Sequence, residues 1–339
     1  MNATMPLDSI KHDPVMLDQI LSIISPQHGG IFVDCTFGGG GYSKAILKHP
    51  NSEVIGIDRD YISKGLAEKL KKEFPDRFNF FSNKFSNLES LVNYDLKPKA
   101  IIFDLGLSSL QLGDKKRGFS FKSEGPLNMQ MGENNFSAYE VINKFDKKNL
   151  ANIIKLLGDE KDGKLIANKI VQNRSKKPIQ TSKELSLIIR KAKKYYRYDK
   201  NPATKTFQAI RIFVNQELTE LISGLIEATK LLPAGGMLVV VSFHSLEDKI
   251  VKYFFRTYSE KNKNPSRYVP KLDGEDLRLF DCPIKKSIKP SKEEILINPS
   301  SRSAKLRYGI RNNSEYFFPK ELSKKFQNYL EIENMGINL

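Results

Sequence analysis

The amino-acid sequence predicts an α/β protein: a doubly wound, mostly parallel sheet with an inserted helical domain. Three observations predict it. Short apolar runs alternate with helical stretches over the N-terminal third, the pattern of βαβ units. The alternation stops for a long helix-rich interval and then resumes. Four consecutive glycines, Gly38-Gly39-Gly40-Gly41, sit where the first strand hands over to a helix.

The elements follow in order. Ile31–Thr36 reads as a buried strand, with a helix over Tyr42–Leu47 behind the glycines. Val54–Asp58 is a second strand ending on a carboxylate. Ile62–Lys72 is helical, and Phe78–Phe81 and Ala100–Asp104 are the third and fourth strands; the fourth again ends on an aspartate. From about Gly113 to Lys200 helical periodicity takes over, at Asn149–Leu157, Lys164–Asn173 and Ser182–Lys194. One long helix is expected over Thr206–Leu231, with Phe207, Ile210, Val214, Leu218, Leu221 and Leu225 on one face, closed by Pro233-Ala234-Gly235-Gly236. Met237–Val241 is the next buried strand, and Lys305–Ile310 a further one. The expected segments are the first part of the sheet domain at 1–112, the helical insertion at 113–205, the second part of the sheet domain at 206–315, and a C-terminal tail at 316–339.

A chain of 339 residues, 40% hydrophobic, is long enough for a large domain carrying a smaller one. No stretch approaches the roughly 20 apolar residues of a membrane span. The N-terminus lacks the basic-then-apolar pattern of a secretion signal. A cytoplasmic protein without membrane contact is expected. The two cysteines, Cys35 and Cys282, form no CxxC pair, and the four histidines are scattered, so neither a disulfide scaffold nor a metal is expected. The net charge of +16 points to a polyanionic partner, because cations beside phosphates release condensed counterions. A merely solvated lysine-rich surface is the competing reading.

Glycines between a strand and a helix let backbone approach a ligand closely, and the helix N-terminus offers unpaired N–H groups. Gly38, Gly40 and Gly41 are therefore candidate ligand contacts. Asp58, at the end of the second strand, suits ribose hydroxyls. Both a dinucleotide and S-adenosylmethionine fit this arrangement. Ser43 stands where the dinucleotide fingerprint needs Gly or Ala. Asp34, just before the glycines, suits an ammonium group and would repel a pyrophosphate. Both details favour S-adenosylmethionine.

Asp104 ends the fourth strand, at the switch point of a doubly wound sheet. It could contact the cofactor, the acceptor base, or both, or cap the next helix. Ser242-Phe243-His244-Ser245-Leu246-Glu247-Asp248 follows the fifth strand. There His244 could bind substrate, act as a base, or cap a helix.

Several blocks resemble the RsmH (MraW) family: His12-Asp13-Pro14-Val15, Thr36–Ser43, Asp58-Arg59-Asp60, Asp104–Ser109, Gln111-Leu112, Arg117–Phe121, Gly125-Pro126-Leu127, Asn201–Arg211, Ser242–Asp248 and Ser301–Arg307. They run in order along nearly the whole chain. The resemblance implies a class I S-adenosylmethionine-dependent methyltransferase fold with a helical insertion. It further implies methylation of the exocyclic N4 of a cytidine in the decoding region of 16S ribosomal RNA, with the small ribosomal subunit as partner. By position, the cofactor contacts would be Gly40, Gly41, Tyr42, Asp58, Phe85, Asp104 and Gln111. Tyr42 stands where the family commonly has His. Asn128 and Gln130 stand where it usually has Asp and Arg, as though a charged pair were replaced by two neutral amides.

A cytosine amine is a weak nucleophile, because its lone pair is conjugated into the ring. Oxygen acceptors that hold and align it suffice, and Asp104, Ser108 and Ser242 are the candidates, with His244 a further candidate catalytic residue. The base must be presented unstacked. Arg117, Phe119, Lys205, Phe207 and Arg211, in and beside the insertion, are candidate RNA contacts. Two alternatives stand beside this reading: a catalytically weakened ribosome-assembly RNA-binding protein on the same fold, and a nicotinamide-dependent oxidoreductase, which Ser43 and the basic charge disfavour. The sequence leaves monomer and homodimer open.

Overall fold

The computed structural model describes residues 14–193, 201–259 and 278–338. His12, Asp13, Lys194 and much of the basic segment before Arg278 lie outside the described residues. The described chain forms two compact units, one of residues 1–106 and 221–325, the other of 107–220 and 326–339.

The first unit is built on seven strands: β1 (Gly30–Asp34), β2 (Ser52–Asp58), β3 (Phe78–Ser82), β4 (Ala100–Asp104), β5 (Met237–Ser242), β6 (Phe280–Asp281) and β7 (Lys305–Arg311). Their order is β3-β2-β1-β4-β5-β7-β6. The first five run parallel, and β7 is antiparallel to β5 and β6. This is the class I methyltransferase sheet. The apolar runs predict its interior correctly. Phe32, Val54, Ile102, Val239 and Val241 join one core with Ile20, Ile24, Ile46 and Leu70 from the helices. The polar ends of the strands come into line by register. Asp34 pairs with Ile102 and Asp104 with Val241, so Asp34, Asp58 and Asp104 share the carboxyl edge of the sheet. That edge is where open α/β sheets bind ligands.

The second unit is helical. It contains Ala138–Lys144, Lys147–Gly158, Gly163–Arg174, Ser182–Ala192 and Thr204–Asn215. Phe213 packs on Phe136 and Phe145 at ring separations of 5.4 and 5.3 Å. Gly158 lets two helices cross closely: a Cβ there would lie 2.5 Å from the Lys205 carbonyl oxygen.

The structure corrects two expectations. The single long helix is two, Thr204–Asn215 and Glu217–Leu231, broken at Gln216 in the left-handed region (φ 51°). At the break, fully buried Asn215 accepts from the Met131 N–H (2.8 Å) and Asn134 Nδ2 (2.9 Å), and donates to the carbonyls of Met129 (2.8 Å) and Arg211 (2.9 Å). The new helix start is satisfied by Glu333, which accepts from the N–H groups of Leu218 (3.1 Å) and Thr219 (2.7 Å). Helix periodicity runs through the break, and only these distant partners reveal it. The tail is likewise not a separate appendage over its whole length. Residues 326–339 belong to the helical unit, through buried Phe326, Ile332 and Glu333. The boundaries expected at 112, 205 and 315 therefore differ from the division at 106, 220 and 325.

Asn128 and Gln130 do not bond side chain to side chain. Asn128 Oδ1 accepts from the Gln130 backbone N–H (2.7 Å), and Gln130 Nε2 donates to the carbonyls of Asn134 (3.0 Å) and Phe136 (3.2 Å). The two amides brace one loop through its backbone.

Candidate active site

The glycine turn begins as β1 ends. Phe37 dives back onto the sheet, 5.5 Å from the Phe78 ring and 5.2 Å from Phe80, and its N–H donates to the Ile57 carbonyl (3.0 Å). Gly40 then turns at φ +76°, where a Cβ would lie 2.7 Å from Phe37 Cζ. A side chain there would have to displace the ring that anchors the turn. Gly40 is also the N-cap residue of the Gly41–Leu47 helix, whose start no side chain caps.

The carboxylates have distinct tasks. Asp58 Oδ2 accepts from the Gly38 N–H (2.6 Å) and Oδ1 from the Asp60 N–H (2.8 Å), which ties the turn to the end of β2. Asp34 corrects an expectation. It is fully buried, and its oxygens accept from Ser43 Oγ (2.8 Å) and the Thr36 N–H (3.3 Å), so it braces the turn rather than facing a ligand's ammonium group. Burial pushes its carboxyl up to about 6, against the bonds from Ser43 and Thr36. Ser43 is required here as the partner of Asp34, which is why the dinucleotide fingerprint fails at that position.

Asp104 lies at the centre of the edge. Its N–H donates to Thr36 Oγ1 (2.7 Å). Its carboxyl shares the single proton of the Tyr42 hydroxyl with the Val15 carbonyl. Burial, then Asp34, push its pKa well above the usual carboxylate range; the Tyr42 bond opposes them, and Glu247 adds to the rise. Asp104 Oδ1 is buried, with no hydrogen-bond partner among the described residues. Phe85, half-buried, packs edge-on against Phe103 at 5.2 Å and closely over Gly224, where a Cβ would lie 2.6 Å from the ring.

Other expected site residues are engaged elsewhere. Ser242 is 1% exposed and donates to the Lys305 carbonyl (3.3 Å). His244 takes the capping role: Nδ1 accepts from the Glu247 N–H (3.4 Å), and Nε2 lies 3.1 Å from Glu247 Oε1. Glu247 in turn accepts from the N–H groups of Phe243 (2.8 Å) and His244 (3.2 Å). Asp248 was missed as an anchor. It accepts from Lys305 Nζ (2.7 Å) and Arg307 Nε (2.9 Å), joining two sequence blocks that lie far apart in the chain. Burial raises its pKa, but those two cations outweigh it and hold the carboxyl low. Cys35 is buried, and burial pushes its thiol well up, so it is not a poised nucleophile.

In the helical unit Ser108 and Gln111 form a reciprocal capping box. Ser108 Oγ accepts from the Gln111 N–H (3.2 Å), and Gln111 Oε1 accepts from the Ser108 N–H (3.0 Å). Four of the five expected RNA contacts are engaged within the protein. Arg117, Phe119 and Phe207 are each 5% exposed. Arg117 donates to the Gln130 carbonyl and lies over the Phe119 ring at 5.2 Å. Phe207 packs on Phe121 at 6.1 Å. Arg211 forms a bidentate pair with Glu217, 2.7 Å on both arms. Lys205 alone remains half-exposed, donating to the Asp159 carbonyl (2.6 Å). Phenylalanine and arginine near a basic motif look the same in sequence whether they face RNA or the core; burial decides.

Asp34 is spent on the turn, so Asp58 and Asp104 are the edge carboxyls left to suit a cationic ligand over a pyrophosphate. The orphaned Asp104 oxygen fits a ligand that brings a donor, and no side chain caps the start of the Gly41–Leu47 helix. S-adenosylmethionine has these properties. A sheet of this order, with its ligand turn after the first strand, is that of a class I methyltransferase drawing its methyl group from S-adenosylmethionine. Within that class, the chain belongs to the MraW methylase family, which accounts for residues 9–311. It is similar to the ribosomal RNA small subunit methyltransferase H of Ehrlichia canis (strain Jake), 46% identical over 303 residues, 87% of this chain and 98% of that protein. The protein of the same name from Rhodospirillum rubrum is 40% identical over 313 residues, 91% of this chain and 94% of that one. No helix among the described residues is long and apolar enough to cross a membrane.

Proposed function

We propose that this protein methylates the RNA of the small ribosomal subunit, and that its acceptor is the exocyclic N4 of a cytidine in the decoding region. The names carried by its relatives support the RNA. The observation that carries the chemistry is Asp104, with one oxygen held through Tyr42 and the other buried without a donor. An exocyclic amine supplies such a donor. Asp104 then orients the amine and stabilises the positive charge that develops on nitrogen as the methyl arrives. S-adenosylmethionine supplies, when bound, a methyl group activated by its sulfonium charge. Asp58 and the backbone of the glycine turn hold the adenosyl end, and Phe85 offers a half-exposed ring beside it. Bringing a cation beside Asp104 favours its ionised form, the form that accepts from the amine.

The test is methyl transfer from S-adenosylmethionine to small-subunit RNA taken from cells lacking this protein, followed by mass spectrometry of the modified nucleoside. Asp104→Ala is expected to lower the rate about 100-fold or more while the melting profile is retained. An Asp104→Ala protein as active as the parent, or methyl groups at a ring carbon, would sink the assignment.

A further inference from the structure

Arg117, Phe119, Phe207 and Arg211 are engaged within the protein, and the sheet unit carries a second candidate RNA surface. Residues 282–303 carry the exposed cations Lys285, Lys286, Lys289, Lys292 and Arg302. Against them stand two acids, exposed Glu293 and half-buried Glu294, and Glu294 is occupied by accepting from the Met16 N–H (2.6 Å). Among the described residues, Lys286, Lys289, Lys292 and Arg302 have no ion-pair partner. In the same segment, on the Lys292–Ile297 helix, Leu296 is 82% exposed and Ile297 78%. Two adjacent aliphatic side chains so open to water, in a segment whose exposed cations are mostly without ion-pair partners, are unlike the rest of this sheet unit's apolar residues.

This segment is fixed at the reactive edge by two routes. Glu294 holds Met16, and the neighbouring Val15 carbonyl receives the Tyr42 hydroxyl that is bonded with Asp104. Ile288 exchanges two 2.9 Å hydrogen bonds with Leu306, which pairs with Val241, which pairs with Asp104. A strand of RNA whose base enters beside Asp104 must pass its neighbouring phosphates and bases close by.

We propose that residues 282–303 form the RNA docking surface of the methyltransferase unit, with Lys286, Lys289, Lys292 and Arg302 on phosphates and Leu296 and Ile297 against base faces. The inference rests on the RNA substrate proposed above. Apolar side chains set against bases favour unstacked nucleotides, which the reaction needs.

The experiment compares the full chain with two variants, Lys286→Glu/Lys289→Glu/Lys292→Glu and Leu296→Ser/Ile297→Ser. Each is titrated with naked 16S RNA and with small subunits over a salt series. Calorimetry with S-adenosylmethionine serves as the fold and cofactor control. The charge variant is expected to bind RNA about 10-fold or more weakly at 0.1 M salt, with a salt slope flatter by about 2. The apolar variant is expected to bind more weakly at every salt, with the slope kept. Cofactor binding is expected to be unchanged in both. Parental RNA affinity in both variants, while the parent methylates its RNA, overturns the surface alone. A loss confined to assembled particles assigns the patch to a protein partner and overturns it too, as does a dimer-to-monomer shift on Leu296→Ser/Ile297→Ser in light scattering. A parent that neither binds nor methylates the RNA overturns the substrate itself.

Discussion

At Tyr42 one hydroxyl stands between two acceptors, the Val15 carbonyl and the Asp104 carboxyl. Burial, then Asp104, push the phenol well above its ordinary range, so it keeps its proton and stays a donor. Asp104 faces Asp34 and Glu247 as well as Tyr42, and the Tyr42 bond is what favours its charged form. Tyr42→Phe should therefore raise the Asp104 pKa further. The activity, which needs the carboxylate, should rise with pH later than in the parent, and at neutral pH it should fall about fivefold, the effect of ~1 kcal/mol in one hydrogen bond. A pH–rate profile that does not move would separate Tyr42 from Asp104. The residues at this scale divide clearly. The places of Gly40, Asp58 and Asp104 at the sheet edge are legible in sequence because strand ends and glycine turns have a recognisable chemistry. The direction of Asp34, and the capping roles of His244 and Ser108, are not, because a polar side chain after a strand serves a ligand or the backbone equally well.

Among the elements, the break at Gln216 has the largest consequence. It ends one helix on Asn215 and begins the next on Glu333, a residue from the end of the chain. Glu333 also accepts from Thr219 Oγ1 (2.6 Å). Burial pushes its carboxyl from an ordinary 4.5 up to about 8, against these bonds. An acid whose folded-state pKa is raised favours folding below the unfolded value, and that contribution is lost as pH rises through the folded one. The cap should thus weaken between pH 4.5 and about 8. Hydrogen exchange at the Leu218 and Thr219 amides should quicken over that range, and Glu333→Gln, which keeps an acceptor oxygen, should flatten the dependence. Amides exchanging at one rate from pH 5 to pH 8, after correction for intrinsic rates, would contradict it. The strands were more legible than this helix pair. A buried strand declares itself by a short apolar run, whereas an amphipathic face continues in phase across a one-residue break.

On the scale of the whole molecule, the family match ends at residue 311, yet the helical unit is completed by residues 326–339. Phe326 and Ile332 are buried there, and Gly336 sits against Phe136, where a Cβ would meet the ring at 2.6 Å. Ending the chain after Lys325 should expose the surfaces beneath them and remove the Glu333 cap, at a cost of about 3–6 kcal/mol. Limited proteolysis should then cut first within 107–220, and a parental melting temperature would show the segment to be dispensable. The sequence by itself determined the α/β class, the glycine turn and the carboxylates at the strand ends, because each follows from local periodicity and backbone chemistry. Only the tertiary structure decided which polar groups are left without a partner and which are spent on caps and braces. It alone decided that Arg117, Phe119 and Phe207 are buried and Arg211 is paired with Glu217, and that a C-terminal glutamate begins a helix more than a hundred residues earlier. Those outcomes depend on partners distant in the chain, and hydrogen bonding and burial are properties of the assembled neighbours, not of the residue.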